Sequence, residues 1–121
     1  MKAGREHRVP PLARAMEIVE AQLDGGKGYV FAGPKPGRPL SSMAMLLRRM
    51  KSDITVHGFR STFRDWASET TGFSHEVCEM ALAHTIANKA EAAYRRGDLF
   101  DKRRKLMEAW TGYCAAQKAG K

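Results

Sequence analysis

The chain is short of cysteine and acid and has no long apolar run. Its two cysteines among 121 residues, Cys78 and Cys114, stand at no zinc-finger spacing to a histidine and are too few for a disulfide framework. Both fall in apolar helical stretches and are expected to be reduced core thiols. No segment approaches the ~20 consecutive apolar residues that span a bilayer, and the opening residues lack a signal peptide's apolar core, so a soluble, cytoplasmic protein with no membrane partner is expected. Acidic residues number 13 against 21 Lys and Arg, for a net charge of +8. That excess suits a polyanion, and nucleic acid is the first candidate. Repeats and low-complexity tracts are also missing, and the length is one domain's worth, sufficient for a core.

What is present is mostly helical periodicity. Residues 1–10 begin with charge and Gly4 and run into Pro10-Pro11, a pattern that suits a hairpin turn and a strand. From Leu12 to Leu23, the positions Leu12, Ala15, Met16, Val19 and Leu23 follow helical spacing, and Gly25-Gly26 supply a stop. Tyr29-Val30-Phe31 reads as a small strand before the exposed loop Gly33 to Pro39. Ser41 or Ser42 can cap a helix with Met45, Leu46 and Met50 on one face and Arg48, Arg49 and Lys51 on the other.

Thr55 can cap the next helix, running to about Glu69, and Ser74 another, His75 to His84, packed through Val77, Met80 and Ala81. Asn88 with Glu91 has the form of a capping box for a short helix, Lys89 to Arg96. Asp98 can cap a long final helix whose core stripe is Leu99, Leu106, Trp110 and Tyr113, with Lys102, Arg104 and Lys105 on its other side. The fold class is therefore mainly α (α+β): about six helices with a small β element near the N-terminus.

Residues 55 to 66 concentrate the chemistry. On a helix, Phe59, Phe63 and Trp66 share one face while His57, Arg60 and Arg64 gather on the opposite one. Three cationic or cationisable groups so placed repel one another unless an anion sits among them, a phosphate being the obvious one; a solvated basic face is the plainer alternative. Elsewhere His84 ends a helix, Tyr94 follows ten residues later between Ala93 and two arginines, and Lys2 lies at the start. His84 also continues a packed stripe and Tyr94 could be an ordinary half-buried aromatic. His7 and His75 read as structural. Cleaving a phosphodiester through a covalent intermediate requires a nucleophile, donors for the non-bridging oxygens and an acid for the departing oxygen, and Tyr, His/Arg and Lys fill those roles without metal or cofactor.

His57-Gly58-Phe59-Arg60, then Leu82-Ala83-His84, then Ala93-Tyr94-Arg95-Arg96 and a helix reaching Trp110 together resemble the catalytic domain of tyrosine recombinases, especially phage-P4-type prophage integrases. The resemblance spans nearly the whole chain, and its specificity lies in the ordered set. It implies a recombinase catalytic core, with residues 1–121 as its C-terminal portion; the family's first catalytic arginine, core-binding domain and arm-binding domain are absent from it, as expected of an excised piece of a longer integrase or the product of a truncated prophage gene.

By the same resemblance Tyr94 is the nucleophile that forms a 3′-phosphotyrosine, Arg60 and His84 hold the scissile phosphate, and His57 donates to the same oxygens or manages the tyrosine's proton. Lys2 protonates the leaving 5′ oxygen. Arg64 suits DNA backbone or a carboxylate, and Arg48, Arg49, Arg95 and Arg96 suit DNA backbone. The implied partners are double-stranded DNA of attachment-site type, other recombinase protomers in a synaptic complex, and an excisionase or DNA-bending protein. Without the first arginine the isolated chain is expected to be silent or weakly active. The alternatives are a non-catalytic basic helical DNA-binding module and a remnant that docks on recombinase protomers. One departure is Pro11-Leu12-Ala13 where the family usually follows the first proline with Leu-Ser.

Overall fold

A computed structural model describes residues 6–23, 28–50, 53–84 and 97–120, without the side chains of 43 and 44. Among the described residues there are five helices: α1 (Ala13–Gln22), α2 (Met43–Arg49), α3 (Val56–Thr70), α4 (His75–Ala81) and α5 (Phe100–Ala119). The expected helix over 89–96 lies outside the described residues. The chain divides into two compact units, one comprising Pro11–Phe59 and the other Met1–Pro10 with Arg60–Lys121.

In the first unit the β expectation contracts to a single antiparallel bridge between Ala32 and Pro39, and Tyr29–Phe31 is not a strand. The Leu40 amide donates to the Phe31 carbonyl at 2.9 Å and the Gly33 amide to the Arg38 carbonyl at 2.8 Å. Pro34, Pro36 and Pro39 have no N–H to extend the ladder. A Cβ at Gly33 would lie 2.5 Å from the Pro39 carbonyl oxygen, so this crossing requires glycine. No described residue of this unit is fully buried; Met16 and Val19 of α1 are half-buried, and Met45 of α2, expected to pack, is 56% exposed. The first turn of α3 begins as expected, the Thr55 hydroxyl accepting from the Gly58 amide at 2.9 Å.

The second unit holds the core. Phe63, Trp66 and Ala67 of α3, Val77 and Cys78 of α4, Leu82 and Leu106 of α5 form one buried cluster, flanked by Phe73, Ala81, Leu99, Met107 and Trp110. Its aromatic part is continuous: Trp66 and Trp110 have ring centroids 4.9 Å apart, Phe63 meets Trp110 edge-on at 5.4 Å, and Tyr113 stacks on Trp110 at 5.6 Å. Such pairs add roughly 0.5–1.5 kcal/mol each beyond the area they bury. Phe59, one turn before Phe63, belongs to the other unit and is 57% exposed, so the expected three-residue packing face holds for two. Cys78 is buried as expected, but Cys114 is exposed, one position past the aromatic stripe of α5.

Helix ends follow local chemistry. The Ser74 hydroxyl accepts from the Val77 amide at 3.3 Å and starts α4. That helix stops at Ala81, three residues short of the expected end. Ala83 turns into the left-handed region at φ 56°, its amide donating to the Met80 carbonyl at 3.1 Å while the His84 amide donates to the Glu79 carbonyl at 3.0 Å. These two bonds are the paired closure that ends a helix on a left-handed residue, usually glycine.

Residues 6–10 are tied to the start of α5 through Arg103, which is 1% exposed. The Arg103 guanidinium donates to the Arg8 carbonyl, to His7 Nε2 at 3.3 Å and to the Asp98 carbonyl at 3.3 Å. Arg8 in turn grips both carboxylate oxygens of Asp98, at 2.9 and 2.8 Å, and lies over the Phe100 ring. Asp98 also accepts from the Phe100 amide at 3.2 Å, which is the capping role expected of it, although Leu99 is the N-cap residue by backbone geometry. Pro10 is buried at the end of this segment.

Three stability outcomes are expected. Ala83→Gly relieves the left-handed strain and raises the unfolding free energy by about 0.5–1 kcal/mol in urea melts. Arg103→Ala strips the buried donors from three acceptors and lowers it by about 3 kcal/mol. Burial and the nearby Arg103 hold His7 below its ordinary value of 6.5, and hydrogen bonding to Arg8 holds Asp98 below its ordinary 3.8. In both cases the unfolded chain takes up protons first, so stability falls with pH in two steps, through the ordinary histidine range and again below the ordinary carboxylate value. His7→Gln should remove the first step and Asp98→Asn the second, read from urea midpoints between neutral and acid pH.

Candidate functional site

One set of titratable side chains of the second unit, Arg60, Arg64, Glu79 and His84, gathers toward the end of α4. Arg60 and Arg64 project from successive turns of α3, and both reach α4 or the turn that ends it. The Arg60 guanidinium donates to the carbonyl of Leu82. Its partner among the described residues is thus a helix-end carbonyl, and a guanidinium carries five donor hydrogens, more than one carbonyl satisfies. Arg64 donates through Nε to Glu79 Oε1 at 2.5 Å, through Nη1 to the Ser68 hydroxyl and through Nη2 to His75 Nδ1 at 2.5 Å. At this position the anion expected among the cations of α3 is supplied by the protein's own carboxylate. His75, read as structural, meets Arg64 through the Nη2 contact.

His84 leaves the α4 stripe because the helix has already ended. Its Nδ1 lies 2.6 Å from Glu79 Oε2, and its side chain is 41% exposed. A carboxylate only accepts, so Nδ1 carries the proton in this contact and Nε2 is the nitrogen not engaged with Glu79. Partial burial would raise the pKa of Glu79, but the hydrogen bonds from Arg64 and His84 outweigh it and hold the carboxyl below its ordinary value of 4.5. Glu79 was not singled out from the sequence. Five residues apart, it and His84 would lie on different faces of a continuous helix, and only the turn at Ala83 brings them together.

The remaining expected site residues are distributed as follows. His57 is exposed in the first turn of α3 and belongs to the first unit. Arg48 and Arg49 are exposed in the last turn of α2, where cations also complement the helix dipole. Lys2, Tyr94, Arg95 and Arg96 lie outside the described residues. On α5, Lys102, Arg104 and Lys105 are exposed, whereas Arg103 between them is buried. Its position in the sequence of the Leu99, Leu106, Trp110 stripe was the available signal that it faces inward. No group of three or more His, Cys, Asp or Glu with the arrangement to hold a metal occurs among the described residues, and none of the helices described is long and apolar enough to cross a membrane.

No protein-family profile and no solved structure matches the chain. Curated proteins do. It is 35% identical over 127 aligned positions to prophage integrase IntA of Escherichia coli K12, covering 99% of this chain and 30% of that protein. It is 34% identical to prophage integrase IntZ of the same strain, across 89% of this chain and 28% of the relative. The integrase of Enterobacteria phage P4 is 31% identical across 93% of the chain and 28% of its own length. The chain thus spans less than a third of the relatives it matches, yet nearly all of it aligns, and that continuous likeness supports an integrase family assignment.

Proposed function

We propose that this chain carries the strand-cleaving part of a site-specific DNA recombinase that works through a 3′-phosphotyrosine. Tyr94 Oη attacks the scissile phosphorus; the bond from phosphorus to the 5′ oxygen breaks, and that oxygen takes a proton from Lys2. Arg60 and His57 hold the non-bridging oxygens together with His84, and His57 also receives the tyrosine proton. Rejoining runs the same steps backward from a free 5′ hydroxyl. No metal or other cofactor enters this scheme. Double-stranded DNA is the substrate, and further recombinase protomers complete the assembly.

The observation that carries this reading is that Arg60 is bound at the helix end after which His84 follows. Arg60 reaches the Leu82 carbonyl from α3, and His84 is set two residues further by the turn at Ala83. A planar guanidinium, and an imidazole whose Nε2 becomes a donor once the ring is protonated, suit a phosphate's oxygens. The likeness to three integrases supports the reaction class. Exposed Lys102, Arg104 and Lys105 on α5 and Arg48 and Arg49 on α2 suit backbone phosphates. The family's catalytic core uses a second arginine, and loss of one such donor costs roughly 10²–10³-fold in rate, so the 121 residues alone should cleave feebly at best.

The test replaces the matching part of prophage integrase IntA with this chain and offers the chimera a nicked suicide duplex carrying the IntA site. A protein–DNA adduct that survives denaturant is expected with Tyr94 and absent with Tyr94→Phe, while both bind the duplex equally. A chimera that binds DNA but forms no adduct with Tyr94 would sink the catalytic reading in favour of a plain DNA-binding module. The isolated chain should bind duplexes of any sequence with a steep salt dependence. Lys102→Ala with Lys105→Ala should reduce the slope of log affinity against log salt by about two.

A further inference from the structure

Glu79 contributes two hydrogen-bonding arms at once, and they reach different elements. Oε1 accepts from Arg64 Nε on α3, and Oε2 accepts from His84 Nδ1 beyond the end of α4. Its backbone carbonyl accepts from the amides of Leu82 and His84, so the same residue closes the helix and orients the ring that follows. The carboxylate is 19% exposed, and Arg64 opposite it 20%, which keeps the contact partly shielded from water. Arg64 is itself steadied by Ser68 and His75, so the carboxylate rests on a fixed cation rather than on a free surface side chain.

We propose that Glu79 is the positioning residue of this anion site, holding His84 in the Nδ1–H form so that Nε2 is the nitrogen presented to a phosphodiester oxygen. The assignment deepens the recombinase reading and rests on it for the identity of the ligand. A neutral imidazole with its proton on Nδ1 offers Nε2 as an acceptor, and protonation turns Nε2 into a donor without disturbing the bond to Glu79. The ring can therefore pass between accepting and donating at one place while its orientation stays constant. The charged or titratable groups on the elements that meet there are Glu79 on α4, Arg60 and Arg64 on α3, and His75, which meets Arg64. An unheld histidine at an exposed helix end would sample several rotamers, and orientation lost in this way is lost rate.

Two measurements test the assignment. In the 121-residue chain, long-range nitrogen–proton spectra of the histidine rings should show His84 as the Nδ1–H tautomer when neutral. In Glu79→Gln, where the side-chain amide can present either its oxygen or its NH2 to the ring, the Nε2–H tautomer should appear, and Glu79→Asp should restore part of the original signal. In the chimera, Glu79→Gln should slow adduct formation roughly 10- to 100-fold with unchanged duplex binding, again partly rescued by Asp. A wild-type His84 found in the Nε2–H form overturns the proposal, whether or not any variant folds. So does a Glu79→Gln chimera that forms adduct at the original rate. Absence of adduct with Tyr94 intact counts against the recombinase reading instead, and the carboxylate's hold on His84 is then decided by the ring spectrum of the unaltered chain.

Discussion

The carboxylate of Glu79 joins what α3 and the end of α4 would otherwise leave as separate cations. Arg64 and His84 bind its two oxygens, at 2.5 and 2.6 Å, and both offset the cost of partly burying the carboxylate. Charge-assisted hydrogen bonds of this kind contribute roughly 1.5–3 kcal/mol when shielded and less where water reaches them. Here the shielding is partial. Their larger consequence is geometric, because a carboxylate shared between two fixed donors has little freedom of its own.

A second constraint works at the other end of the same unit. The buried guanidinium of Arg103 takes the carbonyls of Arg8 and Asp98 and the ring nitrogen of His7, pinning residues 6–10 to the start of α5. Arg8 and Asp98 are 90 positions apart, so this is a long-range closure rather than a local preference.

The integrase likeness was legible because its motifs are local and ordered. His57-x-x-Arg60 is one helical turn, Leu82-Ala83-His84 is a helix end, and both occur where they were read. The starts of α3 and α4 were legible as well, since Thr55 and Ser74 use their own hydroxyls to bind amides three residues on. The failures share a cause. Periodicity extended the packing face to Phe59 and α4 to His84, but a stripe packs only as far as another element crosses it, and a helix stops where closure bonds compete with the next turn. Tyr29–Phe31 has strand-like composition, yet the prolines that follow have no amides to sustain pairing.

By itself, then, the sequence determined the helical character, the basic charge, the reduced cysteines' lack of a framework role and the order of motifs that marks an integrase, all of which depend on residue type and short spacing. Tertiary structure alone decided that Arg64 spends its charge on Glu79, that His84 turns Nδ1 toward the same carboxylate, and that Arg103 faces inward among carbonyls. Those outcomes depend on which helix ends meet and on a left-handed turn at an alanine, and neither is encoded in any single stretch of the chain.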